Sequence, residues 1–477
     1  MRQRCWWRTL ALSASFAFTG GLTAAQAQES YGEAYAEPAP VSASESSAEL
    51  RAILARLDAQ ERELNSLRSL VNQTPAKEAS LSADAAADTA ADGPCKKVDI
   101  VSKPSFAVFG RLFFDHIMYE DDPALVAATG VDRLNETGFN TARLGGKGTV
   151  YENVIGQVEV EFEGSEVDYK DVFIEVTNAP ALGTVKVGHF KEPFSLEELT
   201  SSRFITFMNR SLPHSAFVPS RNFGLQASNY IMENDNWSWF AGAFRNDSPD
   251  NPTGRASHIG DEGDWCFTGR VAGCLFYDEP SQGRYLVHVG AAFSHRDDLT
   301  VVSFAQRPEL GSQAGYLTST HTGDDDWNLV GLESAIVWGQ ASLQAEFYGA
   351  DTDNLDENNG GYVEASYFLT GENRVYKKDS KAFDRVKPLE DFFRVSTADG
   401  VCMGRGAWQL KARYSWVDLN SGLAGIRGYM DGFSAGANWY WNPYTRMMFD
   451  YVHEDVDLLS GVVGNNDLFG MRFQFDF

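Results

Sequence analysis

From Ser105 to Phe477, apolar and polar residues alternate along most of the chain. The last segment is the clearest. Phe469, Met471, Phe473, Phe475 and Phe477 fall on one side, and Gly470, Arg472, Gln474 and Asp476 on the other. Trp408, Leu410, Ala412, Tyr414 and Trp416 alternate with Gln409, Lys411, Arg413 and Ser415. Val154, Val158, Val160 and Phe162 alternate with Gln157, Glu159, Glu161 and Glu163, and Phe433–Trp441 and Ala341–Phe347 read likewise. A period of two is that of a β-strand. Sixteen segments carry it, near 105–118, 139–151, 153–163, 169–177, 183–191, 222–232, 236–246, 266–278, 283–296, 327–339, 341–351, 359–371, 406–418, 429–441, 444–455 and 466–477.

Alternation alone also fits a soluble sandwich with one wet face. Three features favour a transmembrane antiparallel β-barrel. The apolar face is nearly unbroken Trp, Phe, Tyr and Leu. Aromatic residues gather at strand ends, as in Trp237/Trp239 and Trp439-Tyr440-Trp441, where interfacial girdles sit. The last strand ends on an aromatic residue, as bacterial outer-membrane barrels commonly do. Closure also removes the edges that so many strands would otherwise expose. Sixteen strands enclose a water-filled lumen. Connections alternate short and long, Glu152 against Gly164–Asp168 and Asn442-Pro443 against Val456–Asn465, which predicts short periplasmic turns and long external loops.

The first 104 residues follow other patterns. Arg2, Arg4 and Arg8 precede an apolar stretch, Leu10–Ala25, and Ala25-Gln26-Ala27 fits a cleavage site, so residues 1–27 read as a signal peptide. Leu50, Leu57, Leu64 and Val71 fall seven apart, with Ile53, Gln60 and Leu67 between them. Arg56, Glu63, Glu61 and Arg68 flank this seam with opposite charges, as parallel strands prefer. Residues 45–72 are therefore expected to form a coiled-coil segment, in a parallel oligomer and most simply a trimer. Residues 73–104, rich in Ala, Asp, Ser and Pro, read as a flexible linker. Residues 105–477 are the barrel.

Composition narrows the classes. Forty Lys+Arg against sixty-six Asp+Glu give −26, and loss of the three signal arginines takes this to −29. Duplex nucleic acid is excluded as the default partner, since it needs a basic face. Past residue 27 no apolar run reaches the ~18 residues of a membrane helix. Without the signal, Cys95, Cys266, Cys274 and Cys402 remain, in a compartment that permits disulfides. Cys266–Cys274 is the local favourite among three pairings, with free thiols the equal alternative. No zinc-protease, nucleophile-elbow, phosphate-loop or paired Cys-x-x-Cys motif is present. Asp351-Thr352-Asp353-Asn354-Leu355 is not an EF-hand, because Leu355 stands where an oxygen ligand belongs. The reading is a non-enzyme with no catalytic residue, metal or cofactor. His288 and His453 are expected to be lumenal polar groups.

One connection stands out. About thirty residues separate Phe190 from Asn222, and half of them are apolar. Such a loop after the fifth strand is expected to fold into the barrel and narrow it. The block Val185–Gln226, with KEPFSLEELTSSRFITFMNRSLP and AFVPSRNFGLQ, resembles the phosphate-selective porin O and P family. So do Tyr367–Glu372, Arg385-Val386-Lys387-Pro388 and Asn438–Arg446. The resemblance runs from about Phe106 to Phe477. It implies a sixteen-stranded homotrimeric porin of the bacterial outer membrane whose third loop constricts the lumen and whose basic residues select phosphate.

The matching loop region offers Lys191, Arg203, Arg210 and Arg221. By strand parity Arg143 and Lys147, beside Thr141 and Thr149, face inward, as do Lys411 and Arg413. These eight are the candidate pore-lining, anion-binding set, because an arginine fork matches phosphate oxygens. Against them stand Glu192, Glu197 and Glu198 on the loop, and Glu159, Glu161 and Glu163 by parity. Acid runs such as Asp324–Asp326 and Asp351–Asn359 read as external loops. The expected function is passive diffusion of small solutes and ions, with outer-membrane lipid outside. Anion or phosphate preference and a general or cation-leaning pore stand as alternatives. The rival reading is a structural anchor tethered through the coiled coil. A secreted glycan-binding sandwich is a third.

Overall fold

The computed structural model describes residues 104–477 apart from 165–166, 232–234, 246–264, 297–300, 323–325, 353–354 and 398–399. The signal peptide, the coiled-coil segment and all but the last residue of the linker lie outside the described residues. So do Asp324 and Asp325 of the acid run.

Sixteen described strands close into one antiparallel barrel. They are β1 Ser105–Glu120, β2 Glu136–Tyr151, β3 Val154–Glu161, β4 Asp168–Ala179, β5 Gly183–Lys191, β6 Arg221–Tyr230, β7 Trp237–Arg245 and β8 Trp265–Tyr277. They continue with β9 Tyr285–Arg296, β10 Trp327–Trp338, β11 Ala341–Thr352, β12 Leu355–Phe368, β13 Ala407–Asp418, β14 Gly428–Asn442, β15 Thr445–Leu458 and β16 Val463–Asp476. Each pairs with its neighbour in sequence. The ring closes where β1 meets β16, from Arg111 opposite Asp476 to Glu120 opposite Asp467. The Gly110 and Phe477 backbones exchange both hydrogen bonds at 3.1 Å, so the final aromatic residue belongs to the ladder. No helix among the described residues is long and apolar enough to cross a membrane.

The alternation sorts as the pattern predicts. Along β16, Phe469, Met471, Phe473 and Phe475 are exposed on the outside, while Arg472, Gln474 and Asp476 are buried inside. In water this outer surface would be a liability. In lipid it is the required face, and every strand's backbone bonds are made to neighbours. Outward aromatic residues stand at both ends, Tyr414 stacked on Trp416 toward the long loops and a tryptophan cluster at the short-turn end. Trp408 stacks on Trp439 at 5.0 Å, and Trp439 and Trp441 stand edge-on at 5.3 Å.

Glycine is required at one close approach. Gly188 on β5 has φ +139, and a Cβ there would fall 2.3 Å from the Val172 carbonyl oxygen. Gly188→Ala should lower barrel stability by about 2 kcal/mol. Thermal unfolding of the detergent-solubilised protein, followed by circular dichroism, reads this.

Several expectations are corrected. Asp351–Asn359 is not a free loop: β11 runs to Thr352 and β12 begins at Leu355, so pairing continues almost through the acid row. Glu163 lies beyond the end of β3 and is exposed, outside the lumen. His453 faces outward, where its ring meets Asp467 at 2.8 Å, because inward positions of β15 are Arg446, Met448, Asp450, Val452 and Glu454. Cys266 and Cys274 are free and buried. They lie on one strand eight residues apart, about 26 Å at strand rise, far beyond a disulfide's reach. The rule of short turns at one end also fails once. Between β12 and β13 lie residues 369–406, a long connection at the short-turn end, with two small hairpins, Val375–Lys377 with Ala382–Asp384 and Phe393–Thr397 with Gly400–Gly404.

The lumen as candidate functional site

The third loop, residues 192–220, folds inside the barrel as expected. Phe194, Leu196 and Leu212 have no exposure. A buried loop carries backbone polar groups that strand pairing does not satisfy, so the wall must supply partners. It does so residue by residue. Arg446 donates to the Ile205 carbonyl at 3.0 Å, and Asn438 and Lys411 to that of Thr206 at 2.8 and 3.0 Å. Arg472 donates to the Met208 carbonyl at 2.5 Å and Arg413 to that of Asn209 at 3.2 Å, while the Met208 amide donates to Asp450 at 2.8 Å. The Leu196 and Glu197 amides bond the Glu346 carboxylate at 2.8 and 2.7 Å. At its start, Glu192 accepts from Arg296 at 2.7 Å and Thr268 at 2.6 Å. The loop therefore runs along the β8, β9 and β11–β16 side of the lumen.

Two further segments fill that side. Residues 306–317, from the connection between β9 and β10, rest on the third loop. Glu309 is buried there against Arg413 at 2.8 Å, accepts from Ser415 and Ser434, and takes the Leu212 amide at 3.2 Å. From the opposite end comes the hairpin around residues 375–384. Arg374 donates to Gln344 at 2.9 Å and Glu364 at 3.1 Å, with the Phe383 ring 3.6 Å beneath its guanidinium. The Tyr376 hydroxyl meets His288 at 2.8 Å, His288 meets Glu333 at 3.0 Å, and Arg270 clamps Glu333 at 2.6 Å. Tyr376 and Phe383 join Leu196, Leu286 and Val337 in one apolar cluster. The expected open lumen is thus packed on one side from both ends. His288 is the lumenal polar group expected, with its roles set by this hairpin.

The other side differs. On β2–β6 inward residues such as Glu159, Glu161, Asn222 and Gln226 are buried but the basic side chains keep partial exposure, whereas on β10 the inward residues are almost all buried. Six of the eight candidate cations border the β2–β6 side, Arg143, Lys147, Lys191 and Arg221 on β2, β5 and β6 and Arg203 and Arg210 on the third loop. Lys147 is exposed, without an ion pair among the described residues. Arg143 pairs with Glu161, and Arg221 grips both Asp171 oxygens at 3.1 Å. Lys191 meets Glu198 at 3.1 Å and Arg210 meets it at 3.2 Å, each keeping some exposure. Arg203 contacts only Ser201, at 3.3 Å, and the Phe204 face, with no carboxylate in ion-pair range among the described residues. Lys411 and Arg413 stand apart. Both are buried, paired with Asp450 and Glu309, and they hold the loops rather than meeting water.

Sequence reasoning missed Arg111, which is buried on β1, pairs with Glu159 and donates to Ser202 of the loop at 2.8 Å. Its inward parity was the available signal. The acids that parity set against an anion role are each neutralised by an arginine, Glu161 by Arg143 on the adjacent β2 and Glu159 by Arg111 two strands away on β1. On this wall and the loop facing it, Arg111, Arg143, Lys147, Lys191, Arg203, Arg210 and Arg221 share four paired carboxylates, and Lys186 pairs with Glu175 at 3.1 Å. Within the loop, burial would raise the Glu198 carboxyl, but Arg210 and Lys191 hold it well below its usual range. His214, pushed down to about 4 by burial, is neutral and donates from Nε2 to Glu198 at 2.9 Å. This buried acid of the loop is thus ionised and fully partnered.

Comparisons with known proteins agree on kind. The profile described as "Phosphate-selective porin O and P" matches residues 119–477. Porin O of Pseudomonas aeruginosa is 26% identical over 333 residues, covering 61% of this chain and 70% of that protein. An uncharacterised protein of Caulobacter vibrioides is 28% identical over 397 residues, covering 78% of this chain and 74% of its own. Among solved structures, the anion-selective porin of Comamonas acidovorans has a TM-score of 0.47 at 12% identity, covering 79% of this chain and all of its own. The outer-membrane channel DcaP of Acinetobacter baumannii has 0.49 at 12%, covering 78% and 97%. With a closed sixteen-stranded barrel, a lipid-facing exterior, a third loop folded into the lumen and a family profile over three-quarters of its length, this chain belongs to the phosphate-selective porin O and P family and forms a channel across the bacterial outer membrane.

Proposed function

We propose that solutes pass between the packed loops and the β1–β6 wall, and that this passage prefers anions, phosphate among them. The observation that carries the reading is the sorting of cations. Buried arginines latch the loops, while the partly exposed ones share a single wall and outnumber their carboxylates. In a narrow low-dielectric passage that excess raises the local anion concentration despite the net charge of the chain. Arg203 and Lys147 carry most of the unpaired charge. Arg203→Ala should lower the chloride-to-potassium permeability ratio about twofold or more, the scale of one partly screened charge. Arg210→Ala should act less on selectivity, because Arg210 is spent on Glu198 and on the Glu197, Glu198 and Thr200 carbonyls. Unchanged selectivity in Arg203→Ala and Lys147→Ala would remove this wall from the ion path. The neighbour titled an anion-selective porin and the relative named Porin O support the same reading.

The assembly proposed is a homotrimer joined through β1–β5. Each of the described tryptophans lies in β7 or later, and the outward positions of β2 and β3 include Gly146, Gly148 and Gly156. A face without tryptophan, and with small residues that permit close approach, fits a second copy better than bilayer. The 45–72 heptads would gather the same three chains. Native mass measurement of the full chain in detergent should give three copies, and a monomer would overturn the assembly. The heptads also motivate the anchoring role. Deleting 45–72 should leave conductance unchanged, and a loss of envelope integrity alone would favour the tether.

A further inference from the structure

At the short-turn end, beside the ion path, lies a small cleft open to solvent on one side. It is lined by Arg203 and Phe204 of the third loop, Arg385 of the 369–406 connection, and Tyr440, Tyr444 and Arg446 around the β14–β15 turn. Three guanidiniums thus face one recess. The only carboxylate in the lining is Asp476, which Arg385 takes at 2.5 Å. Asp476 also acts on Arg203, and Glu159 and Asp384 act on it more weakly. Arg446 is 3% exposed and has no carboxylate partner among the described residues. Its Nε donates to Gln474 at 3.0 Å and its Nη1 to the Ile205 carbonyl, but its Nη2 is buried with no hydrogen-bond partner. A buried, charged donor left unsatisfied is costly and calls for an acceptor.

The rest of the lining decides what kind of acceptor. Phe204 lies against two guanidiniums, Arg203 at 5.0 Å and Arg385 at 5.1 Å, and Tyr444 against Arg385 at 4.7 Å. Stacking on a ring holds a guanidinium flat and leaves its edge for a planar bidentate acceptor. Phe204, Val386, Tyr440, Pro443 and Tyr444 supply apolar surface beside those edges. Inorganic phosphate gains nothing from that surface, whereas a carboxylate on a ring or short alkyl body gains from both halves.

We propose that this cleft binds small organic carboxylates with an apolar body, at a recess distinct from the cation wall except for the shared Arg203. The proposal rests on the channel reading for how the ligand arrives, but not on the anion preference of the pore. Its test uses benzoate, with phosphate as the control, on the full-length protein in detergent and in planar bilayers. Benzoate should bind by calorimetry and block potassium chloride current, and phosphate should displace it only weakly. Tyr444→Ala changes an exposed turn residue outside the cation wall. It should raise the benzoate dissociation constant about tenfold while leaving the reversal potential unchanged. Arg446→Gln should raise the benzoate dissociation constant by a similar factor, and Tyr444→Ala serves if the Arg446 variant does not fold. Undetectable benzoate binding, unchanged binding in Tyr444→Ala, or displacement by phosphate at equal concentration would overturn the carboxylate site. A pore that proves cation-selective while benzoate still binds and responds to Tyr444→Ala would sink the anion preference and leave this site standing.

Discussion

Arg413→Ala should open the channel. Arg413 is the joint on which two separate plugs converge, taking Glu309 at 2.8 Å, the Glu197 carboxylate at 3.5 Å and the Asn209 carbonyl at 3.2 Å. Its guanidinium also lies 4.3 Å from the Phe207 ring. Truncation leaves Glu309 and Glu197 buried without their counter-charge. Breaking a buried pair in this way costs about 3–5 kcal/mol. The surrounding barrel is a continuous ladder and should persist, so the loss falls on the docking of the third loop and of residues 306–317. Single-channel conductance should rise severalfold, with flicker between levels as the loops detach and return. Arg413→Lys should recover little of the wild-type behaviour, because an ammonium cannot span three acceptors set around a planar fork. Conductance at the wild-type level in both variants would mean that the loops are held without this cluster.

The second large effect is expected from the opposite end. Excising residues 374–384, with a short Gly/Ser bridge between the flanks, removes the hairpin that packs Tyr376 and Phe383 against Leu196, Leu286 and Val337. Burial of those two rings alone is worth roughly 3–6 kcal/mol. The connection spans residues 369–406, long enough to close without strain after the cut. The barrel should still insert, and conductance should increase severalfold. Conductance unchanged by excision, in a protein still folded by circular dichroism, would place the hairpin outside the conducting path.

The sequence made the barrel legible because strand parity is a strong and repeated signal. Each inward–outward assignment on β13 and β16 holds. The third loop was legible for a related reason: a connection that is half apolar cannot face water for thirty residues. The 375–384 hairpin gave no such sign. Its turn, Lys377-Lys378-Asp379-Ser380-Lys381, reads as solvent-exposed, and the left-handed position is filled by Lys381 (φ +51) rather than glycine. Lys381 is nonetheless buried, its ammonium donating to the Asp235 carbonyl at 2.6 Å. Parity placed Arg413 and Lys411 in the lumen correctly, but parity does not say what an inward residue meets. Glu309 lies 104 residues from Arg413 in a stretch with no strand period, so nothing local joined them. The same ignorance of partners made Glu159 and Glu161 look hostile to anions, when each is cancelled by an arginine on β1 or β2. His453 is expected in the lumen only from its polarity, whereas its parity is that of the outward Phe449 and Tyr451.

The central claim is that the accessible wall, not the net charge of the chain, sets what passes. The reversal potential of the purified protein in a planar bilayer, under a potassium chloride gradient and then a potassium phosphate gradient, tests it most directly. The cation excess on the β1–β6 wall predicts a potential of anion-selective sign in chloride, with chloride current reduced by low concentrations of phosphate. A potential of cation-selective sign with no effect of phosphate would mean that the carboxylates govern the passage, and would contradict the account.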